Sequence, residues 1–322
     1  MSSFNVAVIQ HPPVFLNIEK SLERASILIE EATDHGASVI VFPETWLPGY
    51  PVWLDFSPKA ALWNHTSAKA LYRRLVDNAL TLQGDHFKKL RNYAKEFETY
   101  IVMGVHERLG GTLYNTMVYL GKNGKEFKVH RKILPTYTER MIWGRGDGST
   151  LGVLSTEYGN IGGLVCWEHW MPLTRAAMHA QHETLHVAQW PAVKELHHIA
   201  SRHYAFEGQC FVAAAGGILS KEDIIEGFNS QEERNKGIEL LEAIPAKEVL
   251  NGGSAVIAPN TKYITGPVFD KRSIIYADID PESIAEGHLV LDTDGHYSRP
   301  DIFHLNVNEE EQRNVSFGSR KE

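Results

Sequence analysis

Cys166, Glu44 and Lys132 are the residues in this chain whose types could carry covalent chemistry without a metal. A cysteine attacks as its thiolate, so it needs a base to take the proton. The atom it attacks gathers negative charge, which needs a cation or N–H donors nearby. A glutamate, a lysine and a cysteine supply all of this. Taken singly, each residue also has a plain structural explanation. Cys166 could be a small buried hydrophobe, Glu44 an exposed turn residue, and Lys132 a surface charge at a strand end.

Their positions draw them together. Glu44 follows the β-rich run Ser38-Val39-Ile40-Val41-Phe42 across Pro43. Lys132 follows another β-like run that ends at His130. Cys166 closes the apolar strand of Gly162-Gly163-Leu164-Val165, beside a turn into a helix, where backbone N–H groups can form an oxyanion site. Open α/β folds place ligands at the C-terminal ends of such strands. The second cysteine, Cys210, lies inside an apolar run with no charged neighbour and reads as core.

The elements that must hold these residues alternate. Asn5 to Gln10 reads as a buried strand, and a helix starting at Asn17 or Ser21 runs to about His35, with Leu22, Ala25, Ile29 and Ala32 at helical spacing and Gly36 as its stop. A helical pattern from Asp85 to Phe97 precedes the strand Tyr100 to Val105. Leu113 to Leu120 and Glu126 to His130 flank Gly121-Lys122-Asn123-Gly124, a hairpin signature. In the second half, strands are expected at 161–165, 184–188, 210–215, 253–258 and 274–279, with helices after Pro172 and over Leu196 to Gly208. Strand and helix alternate throughout, so the class is α/β. No solenoid-length repeat and no linker appear, which favours one domain. Residues 50–75 and the charge-rich stretch 220–250 read as irregular, and the tail after Asp294 as polar.

Bulk composition narrows the functions. The 322 residues are 43% hydrophobic and 22% charged, as in ordinary globular proteins. The net charge of −8 is spread along the chain without a basic stripe, so nucleic acid is not expected as a partner. Lys88, Lys89 and Arg91 read as a solvated helix face. No stretch approaches the roughly 20 apolar residues of a membrane span, and no signal peptide is visible. Two cysteines make no disulfide framework, so a reducing, cytoplasmic setting is expected.

The segments Phe42-Pro43-Glu44, His130-Arg131-Lys132-Ile133-Leu134-Pro135-Thr136 and Cys166-Trp167-Glu168 resemble the Glu-Lys-Cys signature of the nitrilase superfamily. The likeness extends to the nitrilase branch itself through Leu47-Pro48-Gly49-Tyr50-Pro51, Glu139-Arg140, Trp143-Gly144-Arg145-Gly146-Asp147-Gly148-Ser149, Cys166-Trp167-Glu168-His169 with Pro172, Gln189-Trp190-Pro191 and Gly295-His296-Tyr297-Ser298-Arg299-Pro300-Asp301. Related amidases typically have Asp where this chain has Glu168, which favours a nitrilase. The resemblance implies a four-layer α-β-β-α sandwich, with a hydrolase domain over residues 1–305 and a polar tail over 306–322. It implies a small-molecule nitrile as substrate, no cofactor, no metal, and homodimers that extend into larger homo-oligomers or spirals. Glu44 would be the general base, Cys166 the nucleophile that forms a thioimidate, and Lys132 the stabiliser of the tetrahedral species. Glu139 would be a second carboxylate that orients Lys132 or helps proton transfer; an exposed loop acid is the competing reading. Residues 50–75 and 220–250 correspond to insertions found at subunit interfaces in such proteins.

Other signals weigh less. Tyr50, Trp167 and Trp190 could line an aromatic pocket suited to an apolar nitrile, although single aromatics are usually core. His179, His182 and His186 have a spacing that metal-binding helices use, but a strand interrupts it and a polar surface is the stronger reading. His197, His198 and His203 read as helix-face residues. Gly144, Gly146 and Gly148 suit turns better than a phosphate loop. The competing functions are an amidase of the same superfamily, a cyanide-degrading hydrolase, and a non-catalytic scaffold on the same fold.

Overall fold

The computed structural model describes residues 2–230, 236–245, 247–313 and 315. Residues 231–235 and 246 of the charge-rich stretch, and 314 and 316–322 of the expected tail, lie outside them. The chain begins with β1 (Phe4–Gln10), α1 (Ile18–Asp34) and β2 (Val39–Val41). Next come α2 (Trp53–Phe56), α3 (Thr66–Asp77) and α4 (Asp85–Glu96), then β3 (Tyr100–Leu109), β4 (Thr112–Leu120) and β5 (Phe127–Arg131). The second half holds β6 (Leu154–Thr156), β7 (Gly159–Val165), α5 (Pro172–His179), β8 (Glu183–Trp190), α6 (Glu195–Glu207), β9 (Phe211–Gly216) and β10 (Ile218–Ser220). It closes with α7 (Lys221–Asn229), α8 (Ile238–Glu242), β11 (Glu248–Ile257), β12 (Tyr263–Phe269), β13 (Ser273–Ile279) and α9 (Glu282–His288).

Two sheets result. The first runs β13-β1-β2-β3-β4-β5 and the second β10-β11-β9-β8-β7-β6, with β12 paired to β11. β1, β2 and β3 are mutually parallel neighbours, as are β7, β8 and β9. These parallel centres carry Glu44 and Cys166 at their C-terminal ends, while Lys132 leaves the antiparallel strand β5.

The period of two along each strand sets the layers. Val6, Val8, Val39 and Val41 enter one apolar cluster with Leu164, Leu185 and Val187 of the second sheet. Their alternates Ala7, Ile9, Ile40 and Phe42 pack with Leu22 and Ile29 of α1 and Phe87 and Leu90 of α4. Met178 of α5 and Ala200 and Tyr204 of α6 cover the second sheet. The order is therefore helix, sheet, sheet, helix, as the resemblance implied. Each fully buried Val, Leu or Ile contributes about 1.5–3 kcal/mol, and their number rather than any one contact holds the sheets together. Asn17 caps α1, its Oδ1 accepting the Lys20 N–H at 3.2 Å.

The two stretches that read as irregular are not independent excursions. Tyr50, Trp53, Leu71 and Leu75 share a third apolar cluster with Ile224, Phe228 and Leu241. Arg74 Nη2 donates to the Phe228 carbonyl at 2.7 Å and tacks α3 to α7. β6, β10 and β12 were not expected from the sequence. The first two have three residues each, and β12 is largely exposed, so none shows a hydrophobic run. Arg91 is not simply solvated: its Nε donates to the Gly124 carbonyl at 2.7 Å and ties α4 to the hairpin turn. No helix among the described residues is long and apolar enough to cross a membrane.

Candidate active site

Sharp backbone corners deliver the site residues. Glu44 stands just past β2, and Thr45 after it takes a left-handed φ of 43°. That turn lies against β3 at Gly104, where a β-carbon would collide with the Pro43 carbonyl, so glycine is required. Lys132 continues β5 for one more step, its N–H donating to the Asn115 carbonyl at 2.8 Å. Cys166 ends β7 with a φ of 56° and opens a 3-10 turn over Cys166–Trp170. A cysteine is rare in that region of φ, and such strain persists only where surrounding contacts hold it. Glu139 sits in a second 3-10 turn over Tyr137–Met141, entered through Tyr137 at a φ of 48°.

These corners converge. Lys132 Nζ donates to Glu44 Oε1 at 3.1 Å and to Glu139 Oε2 at 2.6 Å. Asn115 Nδ2 donates to Glu44 Oε1 at 2.7 Å. Glu139 also accepts from the Tyr50 hydroxyl at 3.0 Å and from the Thr136 N–H at 2.7 Å. Donor atoms of Glu44, Glu139 and Cys166 lie within 4.8 Å of one another, and all three residues are buried. Among the described residues this is the one such group of Cys, His, Asp and Glu. The Lys132 ammonium already bonds both carboxylates there. Glu44 Oε2 is buried with no hydrogen-bond partner, which leaves one base oxygen uncommitted.

Burial and charge compete over each proton. Burial pushes the Glu44 carboxyl up to about 7, with Lys132 pulling it down and Glu139 adding to the rise. Burial, then Glu44, pushes the Cys166 thiol well above its ordinary range, although Lys132 opposes them. Burial disfavours the Lys132 ammonium, but Cys166, Glu44 and Glu139 outweigh it and hold the amine above the usual lysine range. The resting site therefore contains a thiol, an ammonium, and a carboxylate in Glu44 that is balanced near neutrality. Tyr50 is raised well above its usual value by burial and the two glutamates, so it stays a donor.

Glu168 fastens two of the corners to each other. Its Oε1 accepts from the Ile133 N–H at 2.7 Å, one residue past Lys132. Its Oε2 accepts from the Val165 N–H at 2.7 Å, one residue before Cys166, and from His130 Nε2 at 2.9 Å. Burial opposes both charges of this pair, yet the partner's charge and hydrogen bond, added to backbone hydrogen bonds, outweigh it: Glu168 is lowered and His130 raised.

A cleft of about 380 Å³ opens above Cys166, walled by Tyr50, Phe56, Tyr137, Trp167, Ala192 and His197. Trp167 is 43% exposed there. Trp190 does not reach the cleft. It is wholly buried, stacked between His197 at 4.4 Å and His169 at 4.7 Å between ring centroids, and backs the wall instead. The histidine readings need correction. His186 is fully buried and His179 nearly so, because both project under α6 against Tyr204; only His182 is exposed. His198 is buried against Tyr263 and Phe269, and His197 lines the cleft. Sequence reasoning also missed Asn115, a polar residue within a strand whose partner lies 71 residues away.

The sequence pattern of the carbon–nitrogen hydrolase family matches residues 5–288. The chain is 35% identical to an aliphatic nitrilase of Sinorhizobium fredii (strain HH103) over 312 residues, covering 96% of this chain and 97% of that one. It is also 35% identical to a bifunctional nitrilase/nitrile hydratase of Lupinus angustifolius, covering 97% of this chain and 88% of the other. A carbon-nitrogen hydrolase structure from Helicobacter pylori G27 superposes with a TM-score of 0.69 at 19% identity, covering 93% of this chain and 97% of that one. The chain belongs to the carbon–nitrogen hydrolases and, within them, to the nitrilase branch.

Proposed function

We propose that this protein hydrolyses a nitrile to the carboxylic acid and ammonia through a covalent intermediate on Cys166. The observation that carries the reading is the convergence of the Cys166 thiol, the uncommitted Glu44 oxygen and the Lys132 ammonium below a walled cleft, in a chain so similar to nitrilases. Glu44 takes the thiol proton as sulfur attacks the nitrile carbon. Glu44 hands that proton on to the nitrile nitrogen, giving a thioimidate and regaining its carboxylate. Glu44 then draws a proton from a water that adds to this carbon, and Lys132 stabilises the tetrahedral species. Protonated nitrogen leaves as ammonia, and a thioester stays on sulfur. A second water, activated by Glu44, releases the acid and restores the thiol. A carboxyl balanced near 7 suits a group that must accept and return protons in turn. Glu139 orients Lys132 and is itself held by Tyr50. The cleft volume is within the usual range of roughly 300–1,000 Å³ for small-molecule sites.

Ammonia release from aliphatic, arylacetic and aromatic nitriles and the matching amides, with wild type and Cys166→Ala, tests this. Release from nitriles alone, lost in the variant, is expected. Release from amides alone moves the protein to the amidase reading, and turnover of cyanide alone to a cyanide-degrading one. We also place residues 1–305 as the catalytic unit, in a cytoplasmic homodimer that builds larger homo-oligomers or spirals. Two free cysteines support the compartment, and exposed Leu173, Leu196 and Ile199 on α5 and α6 support assembly. Sedimentation as a monomer at micromolar concentration would remove the assembly reading.

A further inference from the structure

Behind the nucleophile runs a chain of buried hydrogen bonds that the hydrolytic cycle above does not use. His169 Nδ1 lies 2.7 Å from the Cys166 carbonyl oxygen. His169 Nε2 lies 3.0 Å from His186 Nε2, and His186 Nδ1 lies 2.8 Å from Glu183 Oε1. The Tyr204 hydroxyl donates to Glu183 Oε2 at 2.5 Å. All four side chains are buried. Gly162 makes room for the carboxyl: a β-carbon there would collide with Glu183 Oε1.

The direction of this chain follows from counting protons. A carbonyl only accepts, so His169 Nδ1 carries hydrogen. In a neutral imidazole His169 Nε2 is then a lone pair, and His186 Nε2 must be the donor facing it. His186 Nδ1 is in turn a lone pair, and Glu183 must supply an O–H. Moving that proton from Glu183 to His186 gives an ion pair with the same number of protons and the same bond to Cys166. Removing it changes everything downstream. A Glu183 carboxylate demands His186 Nδ1–H, which forces His169 into its other tautomer and turns a lone pair toward the Cys166 carbonyl at 2.7 Å.

We propose that Glu183, His186 and His169 form a one-proton chain that positions the nucleophile, its proton keeping an N–H on the Cys166 carbonyl and its loss releasing that carbonyl. These are positioning residues, since none touches the reacting atoms. The consequence reaches the chemistry because the Cys166 carbonyl and the Trp167 N–H share one peptide plane. That N–H faces the Cys166 sulfur. A plane held at one end keeps a donor aimed at the reacting atoms, in a backbone conformation that a cysteine seldom adopts.

The surroundings favour the protonated form. Burial raises Glu183 to about 8, with the Tyr204 hydroxyl and His179 acting against it. Burial pushes His169 and His186 well below the ordinary histidine range. The other titratable groups facing Glu183 are Tyr119 from β4 and Cys210 ahead of β9. His179 from α5 and the His130–Glu168 pair face His186, and Arg175 from α5 donates to the His169 carbonyl at 3.0 Å.

The test is the pH dependence of two readouts, kcat with KM for nitrile turnover and the rate of Cys166 alkylation by iodoacetamide. The second needs no substrate, so it reports on the chain even if the nitrilase reading fails. In wild type, kcat falls above pH 8, to about a tenth one unit higher, while KM holds. The alkylation profile breaks at the same pH. Glu183→Gln keeps a donor toward His186 that cannot ionise and loses that alkaline limb in both readouts. Tyr204→Phe removes a bond that favours the carboxylate, so its limb moves to higher pH, which keeps the proposal testable if the glutamine variant does not fold. An unchanged alkaline limb in either folded variant, or no limb in wild type, overturns the proposal.

Discussion

Cys166 and Cys210 occupy comparable physical environments and differ in what surrounds the sulfur. Both are buried, and burial drives both thiols well above their ordinary range. Each also has a buried glutamate that adds to the rise, Glu44 for Cys166 and Glu183 for Cys210. Neither burial nor an elevated thiol therefore marks a nucleophile. Around Cys166 there is a cation that opposes the rise, a carboxylate oxygen without a partner, a left-handed turn that exposes the sulfur to a cleft, and a facing N–H. Cys210 lies just ahead of β9 in the same apolar cluster as Ala213, Phe211 and Tyr204, and is wholly buried. A thiol pushed up by burial is a poor spontaneous thiolate. It can still react when the proton leaves in the same step that sulfur attacks, and that requires the base to be in place beforehand.

The largest effect expected from breaking this comparison is at Cys166 itself. Cys166→Ala lowers nitrile turnover by about 10⁴-fold or more with folding retained, whereas Cys210→Ala leaves kcat within about twofold. Steady-state ammonia release from the two variants decides it, and a dead Cys210→Ala protein with normal melting behaviour would dissolve the distinction. Removing the cation comes next. Lys132→Met leaves Glu44 and Glu139 facing each other in the core; kcat drops by about 10²–10³ and stability by about 3–5 kcal/mol. Urea unfolding beside initial rates separates the two losses, and an unaltered midpoint would show that the carboxylates do not depend on that ammonium.

Glu168→Gln is a sharper probe because it keeps size and removes one acceptor. An amide has a single acceptor oxygen, so either the Val165 N–H or the Ile133 N–H is left facing an NH₂ group. A stability loss of about 1–3 kcal/mol and a fall in kcat larger than any change in KM are expected. Unaltered thermal unfolding would mean that the two corners hold without it. A smaller effect concerns the acid side of the pH profile. Glu44 must be ionised to take the thiol proton, so activity rises with pH through about 7. The Asn115 N–H group stabilises the Glu44 carboxylate; Asn115→Leu therefore raises the carboxyl further and moves the acid limb to higher pH. A limb that stays or moves down in the kcat/KM profile contradicts that sign. The smallest effect is the stability cost of Cys210→Ala, about 1–2 kcal/mol for a minor loss of core volume.

Local physics explains which features were legible. The apolar runs of β1 and β2 and the helical spacing in α1 depend only on neighbours in the chain, so these elements and the α/β class could be read directly, whereas the four-layer order came from the family resemblance. Glu44, Lys132 and Cys166 were legible as candidates because each stands at the end of a β-like run. Trp190 read as a pocket residue from its place at a strand end, yet its ring turned inward between two histidines. His179 and His186 read as polar surface because no carboxylate or cysteine cluster matched them as metal ligands, while the helix that buries them comes later in the chain.

By itself the sequence determined the class, the strand ends that bear the charged residues and the cysteine, and the nitrilase signature. Only the tertiary structure decided which polar groups meet. Asn115 finds Glu44 across 71 residues, Glu168 binds the corners at Val165 and Ile133, and Glu183 reaches Cys166 through two imidazoles. The physical reason is the difference between the two kinds of force. Apolar burial is non-directional and repeats with the element's own period, so it is written along the chain. A buried hydrogen bond is directional and short, and it exists only once two sheets and their covering helices have packed.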